Sequence, residues 1–284
     1  MKKGISLLAA AALLGLAACG DDDDKESGGE SGQAQTMSVA VDAQGKLTGV
    51  KALEGGVVTV NFRNGSRLPW DLQLIRVDGN QTAAQIQRVI RSEGGPIPTW
   101  LHGAGGVGGT EPGQNATATQ FLPPGTYYAI AQAESEDEGE GPKPATARFQ
   151  VEGGESEGEL ADQPATITAK DYSFSATGLK TGVNRIRFDN RGKELHHVIA
   201  FQLAPGKTVA DLKKLFASEG EPSGPPPFVP GSETGTAVLD GGVAQNVELE
   251  FPKAGNWALV CFIQDRKGGP PHAAKGMITP VTVK

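Results

Sequence analysis

The chain has 284 residues, 40 of them glycine and 19 proline, and a formal net charge of -7 at pH 7. That length has room for two domains of ordinary size, and glycine and proline in such numbers are far above what helices tolerate. Short runs of Val, Ile, Thr and Phe recur between the turn residues, as in an all-β sandwich or barrel. No alternation of basic and aromatic residues points to nucleic acid.

The first segment is an address. Lys2 and Lys3 form a basic start, residues 5–16 an apolar run, and Leu16, Ala17 and Ala18 lead into Cys19. Residues 1–19 resemble a bacterial lipoprotein signal with its lipobox. That resemblance implies a lipidated Cys19 at the mature N-terminus, anchoring the chain to the cell membrane on its extracytoplasmic side, periplasmic or cell-surface. The alternatives are an ordinary cleaved signal or a short membrane anchor, although the apolar run is shorter than the roughly 20 residues a spanning helix needs. Residues 20–36, GDDDDKESGGESGQAQT, have almost no apolar content and read as a disordered acidic tether.

Residues 37–152 read as a first domain, and comparison with the C-terminal half indicates an internal repeat. TAAQIQRVIRSEG (82–94) and TVADLKKLFASEG (208–220) have equal length, each opening with a capping Thr and Gln85 or Asp211 three residues later. Apolar positions follow at helical spacing: Ile86, Val89 and Ile90, then Leu212, Leu215 and Phe216. Upstream, residues 60–77 lie over 186–203, and later 123–132 lie over 253–262. In this overlay Trp70 stands where His196 stands, and Ala131 where Cys261 stands. The first copy has an acidic loop at 134–140 and no histidine or methionine after it, so it is expected to keep the fold without a metal site. His102 lies in a glycine-rich stretch and reads as a surface or turn histidine. With no G-K-[ST] and no following helix, that stretch is a weak phosphate-loop signal.

An acidic linker, residues 153–163, precedes a second domain, 164–284. Strands are expected over 165–175, 182–189, 196–203, 236–240, 247–251, 256–262 and 277–283, with the helix after Thr208 between the third and fourth. That count fits a seven- or eight-stranded Greek-key sandwich. Residues 37–152 net three negative charges and residues 164–284 three positive ones.

The chemistry gathers in VCFIQDRKGGPPHAAKGM, residues 260–277. Cys261 ends an apolar run, and His272 and Met277 follow a Gly/Pro-rich loop. Thiolate, imidazole and thioether form a soft set that suits copper better than calcium or magnesium. NRGKELHHVIAF, residues 190–201, offers a second imidazole from His196 or His197. Side chains alternate along a strand, so only one of the two faces the metal. With Cys19 acylated, Cys261 has no disulfide partner in an oxidising compartment. Metal ligation accounts for such a thiol, as would burial or an intermolecular bridge.

Residues 164–284 resemble the cupredoxins, the blue-copper family of plastocyanin and azurin, on the Asn190…His196-His197 strand start and the Cys261…His272…Met277 order. The resemblance implies two tandem cupredoxin-like sandwiches, the first degenerate, and copper held by His196, Cys261, His272 and Met277. It also makes His272, near the surface, the exit for an electron, and Asn190 a support for the ligand loops. The ten residues between Cys261 and His272 make a longer loop than is common in the family.

The function expected is a membrane-tethered type 1 copper protein carrying single electrons, not an enzyme. Basic residues around the site (Arg191, Lys193, Arg266, Lys267, Lys275) would steer an acidic redox partner. Copper storage or delivery, and a metal-free binding or structural module, are the alternatives. Four histidines are too few for the oxygen-reducing cluster of a multicopper oxidase. A Cys261–His272 nucleophile pair would leave His196 and Met277 without a role.

Overall fold

The computed structural model describes residues 34–92, 94–133, 142–154, 158–217 and 224–284. The signal with Cys19, most of the tether and the acidic loop at 134–140 lie outside the described residues. The first strands are β1 (Gln35–Val41), β2 (Leu47–Thr48), β3 (Leu53–Asn64) and β4 (Trp70–Val77). Helix α1 (Ala83–Arg91) follows, then β5 (Leu101–Thr110), β6 (Asn115–Leu122), β7 (Gly125–Ala133) and β8 (Ala145–Gly154). The C-terminal half holds β9 (Ala165–Lys170), β10 (Ser173–Thr177), β11 (Gly182–Asn190), β12 (Ile199–Gln202) and α2 (Val209–Ala217). It ends with β13 (Thr234–Gly235), β14 (Ala244–Phe251), β15 (Gly255–Val260) and β16 (Ile278–Val283). The protein is therefore mostly β, as its composition predicts, and none of the helices among the described residues is long and apolar enough to cross a membrane.

In the N-terminal half β1 runs parallel to β3 and β6 antiparallel to it, while β4 lies between β5 and β7. Strand β3 serves both groups: Leu53 and Glu54 pair with β8, and after a register shift at Gly55 the strand continues along β6. In the C-terminal half β9 lies between β10 and β11, β11 pairs with β14, and β12, β15 and β16 pair in that order. The halves join where β14 pairs with β6, Gln245 opposite Gln120. Alternation puts Val58, Val60 and Phe62 of β3 against Leu72, Leu74, Tyr127 and Ala129 in one buried cluster, which continues into Ile186, Phe188, Trp257 and Leu259. Each Val, Leu, Ile or Phe among them contributes about 1.5–3 kcal/mol by leaving water.

Several local devices recur in the two halves. Buried Asn64 donates to the Leu68 and Thr110 carbonyls and accepts from Ser66 N–H. Buried Asn190 donates to the carbonyls of Glu194, Leu239 and Asp240 and accepts from Gly192 N–H. Tyr127 Oη donates to the Pro123 carbonyl and Trp257 Nε1 to that of Lys253, each four residues back. Both helices start as expected. Thr82 and Gln85 form a reciprocal capping box, and the Asp211 carboxylate accepts from the Thr208 N–H and hydroxyl.

Two expected strands differ. The alternation over 165–175 predicts one strand, but the chain reverses at Asp171 and Tyr172, where Tyr172 takes φ 67°. Tight hairpin turns favour positive φ, and without an Asn-Gly signal only a change of phase in the alternation, at Lys170 and Asp171, marks this one. Asp171 holds the reversal by accepting the N–H groups of Lys193 and Glu194. Residues 236–240 are also not a continuous strand. Leu239 makes single bridges to His196 and Ala104, while the Gln73 amide bonds both the N–H and carbonyl of Val238 in place of a ladder.

Asn64→Ala strands the buried Thr110 carbonyl, a loss of about 1–3 kcal/mol. Urea unfolding should show a lower midpoint with unchanged slope, and an unchanged midpoint would refute the role given to this amide.

Candidate metal centre

Three residues from separate segments converge. His196 is held by reciprocal backbone bonds with Leu239 (3.0 and 2.9 Å). Cys261 directly follows β15, and its N–H donates to the Met277 carbonyl at 3.3 Å. His272 lies at the far end of the loop, its N–H on the Ile263 carbonyl at 2.8 Å. All three are fully buried, and their ligating atoms lie within 4.8 Å of one another. Cys261 Sγ is 3.7 Å from His196 Nδ1 and 3.5 Å from His272 Nδ1, and the two Nδ1 atoms are 3.1 Å apart.

The other ring nitrogens settle which atoms are free to ligate. His196 Nε2 lies 3.2 Å from Asp171 Oδ1, and His272 Nε2 lies 3.0 Å from Asp265 Oδ1. Each Nε2–H donates to a carboxylate, which fixes the tautomer and turns the Nδ1 lone pair inward. Two inward lone pairs and one thiol proton leave a hydrogen-bonding deficit at the centre, and a cation bound by all three atoms removes it. Desolvation lowers the pKa of both imidazoles, with the carboxylates opposing it, which keeps them neutral as ligation requires. Desolvation pushes the Cys261 thiol up to about 12, against opposing backbone contacts from His197 and Ile263, so the thiolate needs a cation beside it. This buried His–Cys–His group is a ligand set of the kind that binds copper.

The structure brings His196, not His197, to Cys261. The His197 ring turns the other way, its Nε2 accepting from Phe262 N–H at 3.0 Å, and burial pushes its pKa down to about 4. Met277 is fully buried in the cluster that contains Cys261, and its N–H donates to the His272 carbonyl at 2.9 Å. His272, expected near the surface, is fully buried. Tyr172 packs edge-on against it at 5.3 Å and donates to Asp265 Oδ1, and Lys275 pairs with the other Asp265 oxygen and lies over the Tyr172 ring. Gly192 leaves room for the contact between Asp171 and His196, since a Cβ there would stand 2.4 Å from Asp171 Oδ1 and 2.9 Å from His196 Nε2.

Sequence reasoning missed Asp171, Tyr172 and Asp265. No motif marks them, because each meets its histidine only through the hairpin turn or the folded loop. Burial raises the pKa of Asp171 and Asp265, but hydrogen bonds outweigh it and hold both carboxyls below their usual range. His102 is also more than a turn residue: it lies in β5, with Nδ1 2.7 Å from Asp240 and Nε2 2.9 Å from Asp78. At the positions overlaid on the ligands, Trp70 and Ala131 are buried core residues.

No protein-family model matches the chain, and no curated protein matches it. Among solved structures it is similar to auracyanin A, a "blue" copper protein from Chloroflexus aurantiacus, at 18% identity, covering 42% of this chain and 100% of that one, with a TM-score of 0.31. Blue copper oxidase from Nitrosomonas europaea is 15% identical over 87% of this chain and 85% of its own, with a TM-score of 0.26. A copper nitrite reductase from the same organism is 15% identical over 89% and 94%, with a TM-score of 0.23.

Asp171→Asn and Asp265→Asn remove the charge that orients and enriches each imidazole. Each should weaken Cu(II) binding about 10–100-fold without unfolding the chain. A competition titration against a chelator of known affinity measures this, and wild-type affinity in both variants would show that the carboxylates are not supports.

Proposed function

We propose that the protein is an exported copper protein that carries single electrons, tethered to the membrane through a lipid on Cys19. In this reading residues 37–152 and 164–284 are two tandem Greek-key sandwiches of cupredoxin type, and only the second holds metal. The recurrence of the Asn64 and Asn190 brackets and of the two capped helices supports the duplication. His196 Nδ1, Cys261 Sγ and His272 Nδ1 would be the three strong ligands and Met277 a weaker fourth. The observation that carries the reading is the inward-facing pair of Nδ1 atoms 3.1 Å apart beside a buried thiol.

Bound copper would supply exchange between its +1 and +2 states. The residues around it serve that exchange by staying still. Asp171 and Asp265 lock both rings, and full burial of the three ligands excludes water and substrate from direct coordination. A rigid, dry site keeps reorganisation small, which favours electron transfer over catalysis at the metal and over rapid release to an acceptor. The basic surroundings contribute less than the sequence implies. Arg266 and Lys275 are engaged within the protein, while Lys193 and Lys267 stay exposed and would meet an acidic partner.

The test is a Cu(II) titration of the full chain followed by visible absorption, with Cys261→Ser in parallel. An intense thiolate-to-copper band that saturates at about one copper per chain, vanishes in the variant and bleaches reversibly with one electron is the expected result. Uptake of one copper without that band would turn the assignment to storage or delivery, and no uptake would leave a metal-free module.

A further inference from the structure

The long loop between Cys261 and His272 is not free at the end of its own half. It leaves at Ile263 and returns at Pro271, and between those points it lies on the N-terminal half. Arg266 accepts from Ile97 N–H at 2.9 Å through its carbonyl, and its Nη1 donates to the carbonyls of Pro98 and Leu101, both at 3.1 Å. Gly269 N–H donates to the Gly94 carbonyl at 3.0 Å. The fit is close, since a Cβ on Gly268 would stand 2.7 Å from the same Gly94 oxygen. On the other side Arg266 Nη2 pairs with Asp240 at 2.7 Å, and Asp240 is held in turn by His102 of the N-terminal half.

Arg266 is the neighbour of Asp265, whose carboxylate orients His272. Fixing the Arg266 backbone and guanidinium therefore fixes where that carboxylate stands. A loop of ten residues with two adjacent glycines, Gly268 and Gly269, has several conformations of its own, and external bonds help to select one of them. Nothing in the C-terminal half alone supplies the acceptors at Gly94, Pro98 and Leu101.

We propose that the N-terminal half, which lacks ligands at the corresponding positions, is the brace of the metal centre, with Arg266 as the positioning residue that transmits its hold through Asp265 to His272. The inference rests on the reading of His196, Cys261 and His272 as a copper site, but its first readout does not need the metal.

Two variants of the full chain test it. Arg266→Met keeps the alkyl stem and removes the guanidinium donors. Ile97→Pro removes the N–H that crosses to the loop, at a position already biased to extended backbone by Pro98. In the metal-free protein labelled with 15N-histidine, solvent exchange of the His272 Nε2–H should accelerate about tenfold or more in both variants, while the His196 Nε2–H stays protected. In the copper-loaded protein, transfer of copper to a chelator should accelerate by a similar factor. Equal His272 exchange and equal copper release in wild type and both variants would overturn the proposal. Accelerated exchange at His196 and His272 alike would also overturn it, by showing a general loss of structure instead of a loop effect. A wild-type chain that takes up no copper would sink the copper reading while leaving the brace to be judged by His272 exchange alone.

Discussion

Two neutral imidazoles whose Nδ1 atoms approach to 3.1 Å around a buried thiol are held against their own electrostatics. Left to relax, each ring would turn its lone pair toward a donor. They are prevented from doing so at the far side, where each Nε2–H is committed to a carboxylate. Those carboxylates are themselves tied down, Asp171 by two backbone N–H groups and Asp265 by Lys275 and Tyr172. The hairpin turn, the glycine at 192 and the packing of Tyr172 on His272 all follow from keeping two rings aimed at one point.

Such a centre was only partly legible in the chain. His196, Cys261 and His272 stand out because soft ligand types in a glycine-rich β-protein are few and sit at element boundaries. The capped helices and most strands follow from side-chain alternation and from Thr82 and Thr208. The choice between His196 and His197 did not follow, because register is a tertiary property: it is set by the bridge from His196 to Leu239. The turn at Asp171 and Tyr172 left only a faint mark. The apolar positions change phase there, from Ala165, Ile167 and Ala169 to Tyr172 and Phe174, and what holds the reversal is a carboxylate reaching backbone groups more than twenty residues away.

Several local devices of the C-terminal half recur in the N-terminal half. Asn64 brackets its turn as Asn190 does, and Tyr127 reaches back four residues as Trp257 does. At the positions overlaid on His196 and Cys261 it carries Trp70 and Ala131, both buried.

The junction between the halves then acquires a meaning beyond adhesion. Strand β14 pairs with β6, and His102, Asp240 and Arg266 form a polar chain that crosses the same boundary. Charges in a partly buried interface are poor sources of net stability, because desolvation offsets most of their attraction. Their value lies in direction. Asp240 gives one oxygen to His102 and the other to Arg266, so the placement of the guanidinium depends on a histidine of the N-terminal half, and the carbonyls of Pro98 and Leu101 complete its fork. A purely apolar junction would hold the halves together but leave the loop to contacts of its own half, such as that of Arg266 N–H with Glu194. The polar one admits a single register, and a ligand whose supporting carboxylate is the next residue along that loop inherits it.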